Sequence, residues 1–138
     1  MRLLIADKSE LIIKRLEELI TDSMYMLMMD RAFTYEEAKH QFYKNEPDVI
    51  VLDISFPGNS SYQLLKEIKE NSPHTVVIVL SFRLDEYILQ QCRDLGADFF
   101  FDKYYEFDKV PVIIKAIAQK KLAVKTTKSE EPNKCTNG

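Results

Sequence analysis

The sequence predicts an α/β domain with a doubly wound, five-stranded parallel sheet, and two observations predict it. Short apolar runs alternate five times with longer segments of helical period along the 138 residues. Three of these runs, beginning at Leu3, Val49 and Val76, are apolar throughout, which is typical of strands buried on both faces. Strands and helices that alternate with right-handed crossovers give a parallel sheet covered by helices on both sides.

The five predicted strands are the apolar runs themselves. They cover residues 3–6, 25–29, 49–52, 76–80 and 99–101. The second run is rich in methionine, whose adaptable side chains suit a packed or edge strand. We expect the first, third and fourth strands to form the buried centre of the sheet.

Capping residues mark the first two helices. Ser9 precedes a run with apolar residues at helical spacing and is a plausible N-cap. Thr34 can cap a second helix over residues 35–44, because Glu37 stands at the capping-box position. Pro47 then prevents this helix from continuing into the third strand.

The remaining helices lie between the third strand and the C-terminal segment. The third is predicted over residues 60–70, and the fourth over 84–95, where Gly96 suits a left-handed C-cap. The fifth runs from Val110 to Leu122 with an amphipathic pattern. From residue 126 onward there is almost nothing apolar to bury, so we predict one domain over residues 1–125 and a flexible tail over 126–138.

Composition excludes several classes of protein. The chain is 46% hydrophobic and 30% charged, which is typical of a globular protein in water. A net charge of -3 disfavours direct binding to DNA or RNA. No apolar stretch approaches the roughly 20 residues that a membrane helix needs, so we expect a cytoplasmic protein without membrane contact.

Polar side chains follow four of the predicted strands. These are Asp7, Asp53, Ser81 and Lys103. In a doubly wound sheet, ligands bind beyond the carboxyl ends of the strands, so the four side chains should meet. An aspartate can attack an activated phosphoryl group if a cation and a hydrogen-bond donor balance the added negative charge, which lysine and serine would do here.

At these strand ends the chain resembles the receiver domain of bacterial two-component response regulators, over residues 1–122. Four motifs carry the resemblance: LLIAD ending at Asp7, VIVLD ending at Asp53 with Pro57 four residues later, VIVLS ending at Ser81, and GAD followed by FDK ending at Lys103. The resemblance implies the flavodoxin-like fold with strand order 2-1-3-4-5.

The resemblance also implies roles for individual residues. Asp53 would accept a phosphoryl group from a sensor histidine kinase or a phosphotransfer protein, and Ser81 and Lys103 would bind that group. Phe100 would be the aromatic switch. Mg²⁺ would be held by Asp7, Asp53 and the backbone carbonyl of Ser55. The output would be a protein contact rather than enzymatic turnover, with the surface of the fourth helix, fifth strand and fifth helix available for homodimerisation.

One residue departs from the family at the metal site. Lys8 stands where the family has a second acid, so Asp7, Asp53, Lys8 and Lys103 sum to about zero charge. A lysine pointing inward would weaken Mg²⁺ binding severely. Three arrangements remain open: Lys8 takes over part of the metal's role, Lys8 turns to solvent and leaves a weakened metal site, or Glu10 supplies the missing carboxylate.

Two functions follow from these residues. The first is a single-domain response regulator that is phosphorylated on Asp53 and signals through protein contacts, since no output domain follows residue 125. The alternative is a receiver-like interaction module that works without phosphorylation. Lys8 and the large ring of Phe82, beside Ser81, favour the alternative, because the ring would narrow access to the acids.

Overall fold

The computed structural model describes residues 1–21, 27–56 and 60–130, in which five strands alternate with five helices. The elements in chain order are β1 (Arg2–Ala6), α1 (Glu10–Thr21), β2 (Met28–Ala32), α2 (Tyr35–Asn45), β3 (Val49–Asp53), α3 (Ser60–Asn71), β4 (Val76–Ser81), α4 (Glu86–Asp94), β5 (Phe99–Asp102) and α5 (Lys109–Glu130). All strand pairs are parallel, and the order is β2-β1-β3-β4-β5. The predicted fold class is confirmed.

The sheet separates two apolar cores. Successive side chains of a strand point to opposite faces, so Leu3 and Ile5 of β1 pack with α1 and α5, while Leu4 and Ala6 pack with α2, α3 and α4. Strands β3 and β4 divide their side chains in the same way. This burial on both faces explains why the central strands are apolar at every position between their first and last residues.

The position predicted for the second strand is wrong. The strand begins at Met28 rather than at residue 25 and includes Asp30 and Arg31. Because β2 is at the edge of the sheet, its polar side chains find partners outside the core: Asp30 Oδ2 is 2.9 Å from Arg2 Nε, and Arg31 pairs with Glu17 of α1. An apolar run therefore does not mark this strand. Met24 and Met26 lie outside the described residues.

The predicted caps of α1, α2 and α4 are confirmed. The Ser9 hydroxyl accepts from the Ile12 N–H at 3.3 Å, and the Thr34 hydroxyl accepts from the Glu37 N–H at 3.1 Å. Gly96, just beyond α4, has φ of +96°, which suits glycine. Asp85 caps α4, so that helix begins at Glu86, later than predicted.

Helix α5 is longer than its amphipathic pattern predicts. Its backbone is helical from Lys109 to Glu130, five residues into the predicted tail, and residues 131–138 lie outside the described part of the chain. Within residues 1–21, 27–56 and 60–130, no helix combines the length and the apolar character needed to cross a membrane.

Lys69, which lies outside the pocket, connects the segments that precede β4 and β5 by hydrogen bonds. The ammonium of Lys69, near the end of α3, donates to the carbonyls of Pro73 at 3.1 Å and Thr75 at 2.7 Å, and to Asp98 Oδ2 at 3.0 Å. The same Asp98 oxygen accepts from the Val77 N–H at 2.8 Å. One cation thus connects α3 to the beginnings of β4 and β5.

We expect Lys69→Met to lower the free energy of unfolding by about 2 kcal/mol, because two carbonyls and a carboxylate lose a charged donor while the aliphatic stem remains. Urea unfolding measures the change. Lys66→Met is the matched control, since Lys66 is exposed on the same helix and lies 3.9 Å from Glu70. Its expected cost is below about 0.5 kcal/mol. Equal costs in the two variants would contradict the assignment.

Candidate functional site

Four polar side chains meet at the carboxyl edge of the sheet and are almost fully buried. The exposed fraction is 2% for Asp7, 0% for Asp53, 3% for Ser81 and 6% for Lys103. Backbone bonds fix where they lie: the Asp7 N–H donates to the Ala32 carbonyl at 3.0 Å, and the Lys103 N–H donates to the Ser81 carbonyl at 2.9 Å. The structure therefore brings together the residues that the sequence singled out.

Lys103 holds the two acids together. Its ammonium lies 2.6 Å from Asp7 Oδ2 and 3.4 Å from Asp53 Oδ1, and its side chain is only 2% exposed. A buried cation between two buried carboxylates offsets the cost of removing all three charges from water. The shorter distance makes Asp7 the closer partner.

Asp7 follows β1, whereas Asp53 and Asp102 are the last residues of β3 and β5, and all three make the same local hydrogen bond. Each Oδ1 accepts from the backbone N–H two residues later, at 2.8 Å in Asp7, 3.0 Å in Asp53 and 2.7 Å in Asp102. Aspartate often makes this bond where a chain turns. The bonds turn the chain at the mouth of the pocket and fix one oxygen of each carboxylate.

The two oxygens of Asp53 have different surroundings. Oδ1 accepts from the Ser55 N–H and, at 2.6 Å, from the Ser55 hydroxyl, and it faces Lys103. Oδ2 is buried and has no hydrogen-bond partner among the described residues. A buried carboxylate oxygen without a donor is costly, so it is a feature of sites that receive another group. No pattern in the sequence indicates this role of the Ser55 side chain.

Ser61 anchors the backbone of Asp53 and was not recognised from the sequence as part of the site. Its hydroxyl donates to the Asp53 carbonyl at 2.9 Å and accepts from the Phe56 N–H at 3.2 Å. Its side chain is fully buried at the start of α3. The hydroxyl thus ties the loop after β3 to that helix, and residues 57–59 of this loop lie outside the described residues.

Asp7 is the acid whose ionisation the surroundings disfavour. Burial raises its pKa above the usual range, the Lys103 ammonium opposes that rise, and the neighbouring Asp53 charge adds to it. Asp7 Oδ1 is fixed by the Ser9 N–H and Oδ2 by the ion pair with Lys103. Lys103, together with the Ser9 N–H, therefore favours the charged form of Asp7.

The Ser81 hydroxyl makes its hydrogen bonds within its own loop. Its hydroxyl donates to the Arg83 carbonyl at 3.2 Å and accepts from the Arg83 N–H at 3.0 Å. Both bonds lie between β4 and α4, on the side of the site next to the helix. The position at the strand end is as predicted, and the hydroxyl is engaged by backbone rather than by the acids.

Aromatic rings lie beside the buried lysine. The Lys103 ammonium is 4.9 Å from the centre of the Phe82 ring, within range of a cation–π contact. The Phe82 ring in turn contacts the Tyr104 ring at 4.7 Å between centres. Phe82 is 47% exposed and Tyr104 is 73% exposed, so the pair lines the outer rim of the pocket, as the sequence predicts for Phe82.

Phe100, the predicted switch residue, lies on β5 in a half-buried position. Its ring packs against the core formed with α2, α3 and α4, and the guanidinium carbon of Arg93 lies 5.7 Å from the ring centre. Arg93 is in the last turn of α4. The ring is thus in contact with both the core and the helix next to the Ser81 loop.

The donor set of the predicted Mg²⁺ site does not fit that ion. The Ser55 carbonyl accepts a hydrogen bond from the Lys8 ammonium at 3.3 Å, and Asp7 Oδ2 is paired with Lys103. Among the described residues, Asp7 Oδ2 and Asp53 Oδ2 are both buried without a hydrogen-bond partner, and Asp7 Oδ2 lies in the ion pair with Lys103. The described chain has no group of three or more acidic, histidine or cysteine side chains placed to hold a metal.

Glu10 does not supply the missing carboxylate. It is exposed at the start of α1, and no cluster that includes it with Asp7 and Asp53 exists among residues 1–21, 27–56 and 60–130. The two acids and two lysines balance in charge, so the pocket offers a divalent cation no net negative charge. Of the three arrangements that the sequence left open, the Lys8 contact with Ser55 favours the first.

Comparison with known proteins agrees with the observed fold. A protein-family model described as the response regulator receiver domain matches residues 3–125. The chain is 29% identical over 110 residues to the transcriptional regulatory protein DltR of Streptococcus agalactiae, covering 80% of this chain and 48% of DltR. It is 26% identical over 109 residues to protein CcdB of Bacillus subtilis, covering 79% of this chain and 90% of CcdB. The chain spans about half the length of DltR.

Solved structures show the same fold. The signal receiver domain of a DNA-binding response regulator from Colwellia psychrerythraea has a TM-score of 0.80 at 20% identity, over 86% of this chain and 98% of that one. A two-component response regulator from Clostridium difficile has a TM-score of 0.76 at 19% identity, over 86% and 96% of the two chains. With the family model covering nearly the whole domain, the chain belongs to the response regulator receiver domain family of two-component systems.

Proposed function

We propose that Asp53 accepts a phosphoryl group from a phosphohistidine of a sensor histidine kinase or a phosphotransfer protein. The observation that carries this proposal is the asymmetry of the carboxylate, in which Oδ1 is held by Ser55 while Oδ2 has no donor among the described residues. Oδ2 attacks phosphorus, and the P–N bond breaks with its electron pair returning to the imidazole, which takes up a proton. The product is an acyl phosphate on Asp53.

Lys103 supplies fixed positive charge to that step. It already contacts Asp53 Oδ1 and is shielded from water, so its attraction for the developing phosphoryl charge is weakly screened. Its ion pair with Asp7 holds the ammonium in position before the donor arrives. The lysine therefore needs little rearrangement during transfer.

Ser81 connects the phosphoryl group to the surface. To donate to a phosphoryl oxygen, its hydroxyl leaves the Arg83 carbonyl, and the loop before α4 loses one of its two side-chain bonds. Phe100, packed next to α4, then responds to the change in that helix. In this proposal the output is a contact between the α4, β5 and α5 surface and a downstream protein or a second copy, in the cytoplasm and without direct contact with DNA.

The first prediction concerns the acceptor. We expect acetyl phosphate or a cognate kinase to add one phosphoryl group to the wild-type chain, as seen by intact mass, and Asp53→Asn to abolish the adduct because the amide is not a nucleophile. Asp108→Asn is the matched control, since Asp108 is exposed at the start of α5. Its adduct should equal that of the wild type.

Absence of an adduct from the folded wild-type chain under every condition would contradict the proposal. It would favour the phosphorylation-independent interaction module, to which Phe82 at the pocket rim lends support. An adduct that persists in Asp53→Asn would place the acceptor elsewhere.

The second prediction concerns pH. In Lys103→Met, the pKa of Asp7 should rise further, because burial and Asp53 remain while the opposing ammonium is lost. The folded state then binds the Asp7 proton more tightly than the unfolded state, whose pKa is about 4. Stability relative to the wild type should therefore fall as pH rises from the pKa of Asp7 in the folded wild type, which is itself raised, through the higher pKa in the folded variant.

Urea unfolding at several pH values, together with carboxyl ¹³C titration of Asp7, measures both effects. Lys109→Met is the control, because Lys109 is exposed and pairs only with Glu106 among the described residues. It should leave the Asp7 titration unchanged. A Lys103→Met variant with an unchanged or lowered Asp7 pKa would contradict the assigned role.

A further inference from the structure

The Lys8 side chain connects two loops at the rim of the pocket. Lys8 directly follows Asp7, and its ammonium donates to the Ser55 carbonyl at 3.3 Å. Through its N–H and hydroxyl, Ser55 is also the residue that holds Asp53 Oδ1. Lys8 thus attaches a positive charge to the same short loop that orients the acceptor carboxylate.

The two lysines near the pocket compensate the charges of the two acids unequally. Lys103 lies 2.6 Å from Asp7 and 3.4 Å from Asp53, so most of its compensation goes to Asp7. Asp53 is fully buried, and its Oδ2 lacks a hydrogen-bond donor among the described residues. Lys8, fixed on the Ser55 carbonyl, is the second cation close to the pocket.

We propose that the Lys8 ammonium replaces the divalent cation, so that the acid pocket of this chain works without Mg²⁺. The inference rests on the proposed phosphorylation of Asp53 and deepens it. Lys8 is exposed, and its ammonium contacts the Ser55 carbonyl beside the pocket. Its positive charge both compensates the acids and repels a metal ion from the Ser55 carbonyl.

The first arm of the test measures metal binding alone, using Mg²⁺ in an NMR titration of the Asp7, Asp53 and Ser55 amides and Mn²⁺ as a paramagnetic probe. We expect no saturable binding at the pocket of the wild type. Lys8→Asp should bind both ions at least about tenfold more tightly, because an acid replaces a base at a partly screened position. Lys14→Asp makes the same charge change at an exposed position of α1 and should behave as the wild type.

Two outcomes of this arm would overturn the inference: wild-type binding as tight as that of Lys8→Asp, or no difference between Lys8→Asp and Lys14→Asp. Circular dichroism and urea unfolding verify that each variant is folded. Lys8→Met, which keeps most of the stem, should lose the repulsion without gaining a ligand and bind the ions more weakly than Lys8→Asp. Metal binding in Lys8→Met no tighter than in the wild type would also count against the proposal, because removing the repelling charge would then have no effect.

The second arm measures the rate of phosphoryl adduct formation from phosphoramidate, with Mg²⁺ or with EDTA. The wild-type rate should be the same in both, and the Lys8→Asp rate should rise at least about tenfold with Mg²⁺. A wild type that requires Mg²⁺ would overturn the inference while leaving the proposed function intact. If the chain forms no adduct at all, the proposed function fails, and the metal titration still decides whether Lys8 excludes the ion.

Discussion

The site depends on one buried ammonium between two buried carboxylates. Without Lys103, Asp7 and Asp53 would face each other in a region from which water is excluded, and the pKa of Asp7, which burial already raises, would rise further. The lysine is held by its backbone bond to Ser81 at the adjacent strand end, so its place is set by strand pairing rather than by a flexible loop. The pairing of the strands therefore determines where the positive charge of the pocket lies.

In the proposed phosphoryl transfer, the charges are already in place before the reaction. Asp53 has one oxygen fixed by Ser55 and one without a donor in the described part of the chain, and Ser61 fixes its backbone carbonyl. The hydroxyl of Ser81, in contrast, is engaged by Arg83 and must exchange partners. Rigidly held charged groups thus lie next to a hydroxyl that can change its hydrogen-bond partner. This combination suits a protein in which a chemical event alters the molecular surface.

The sequence was sufficient for the fold class and for the four pocket residues, because buried parallel strands leave apolar runs whose ends are easily recognised. It was insufficient for β2, where an edge strand contains Asp30 and Arg31 and the apolar run lies before it. The roles of Ser55, Ser61 and Lys69 depend on contacts between segments distant in the chain or on side-chain rotamers. Local patterns do not encode such contacts. The direction of Lys8 was left open for the same reason.

The charged residues of β2 have a consequence for the behaviour of the protein at high concentration. An edge strand offers unpaired backbone N–H and C=O groups to any other strand, and an apolar edge invites intermolecular pairing. Here Asp30 and Arg31 lie on that edge and are tied to Arg2 and Glu17. A second chain that added its strand to β2 would have to desolvate these ion pairs. Asp30 and Arg31 interrupt the apolar pattern that marks the central strands. The same two residues thus protect the sheet against aggregation.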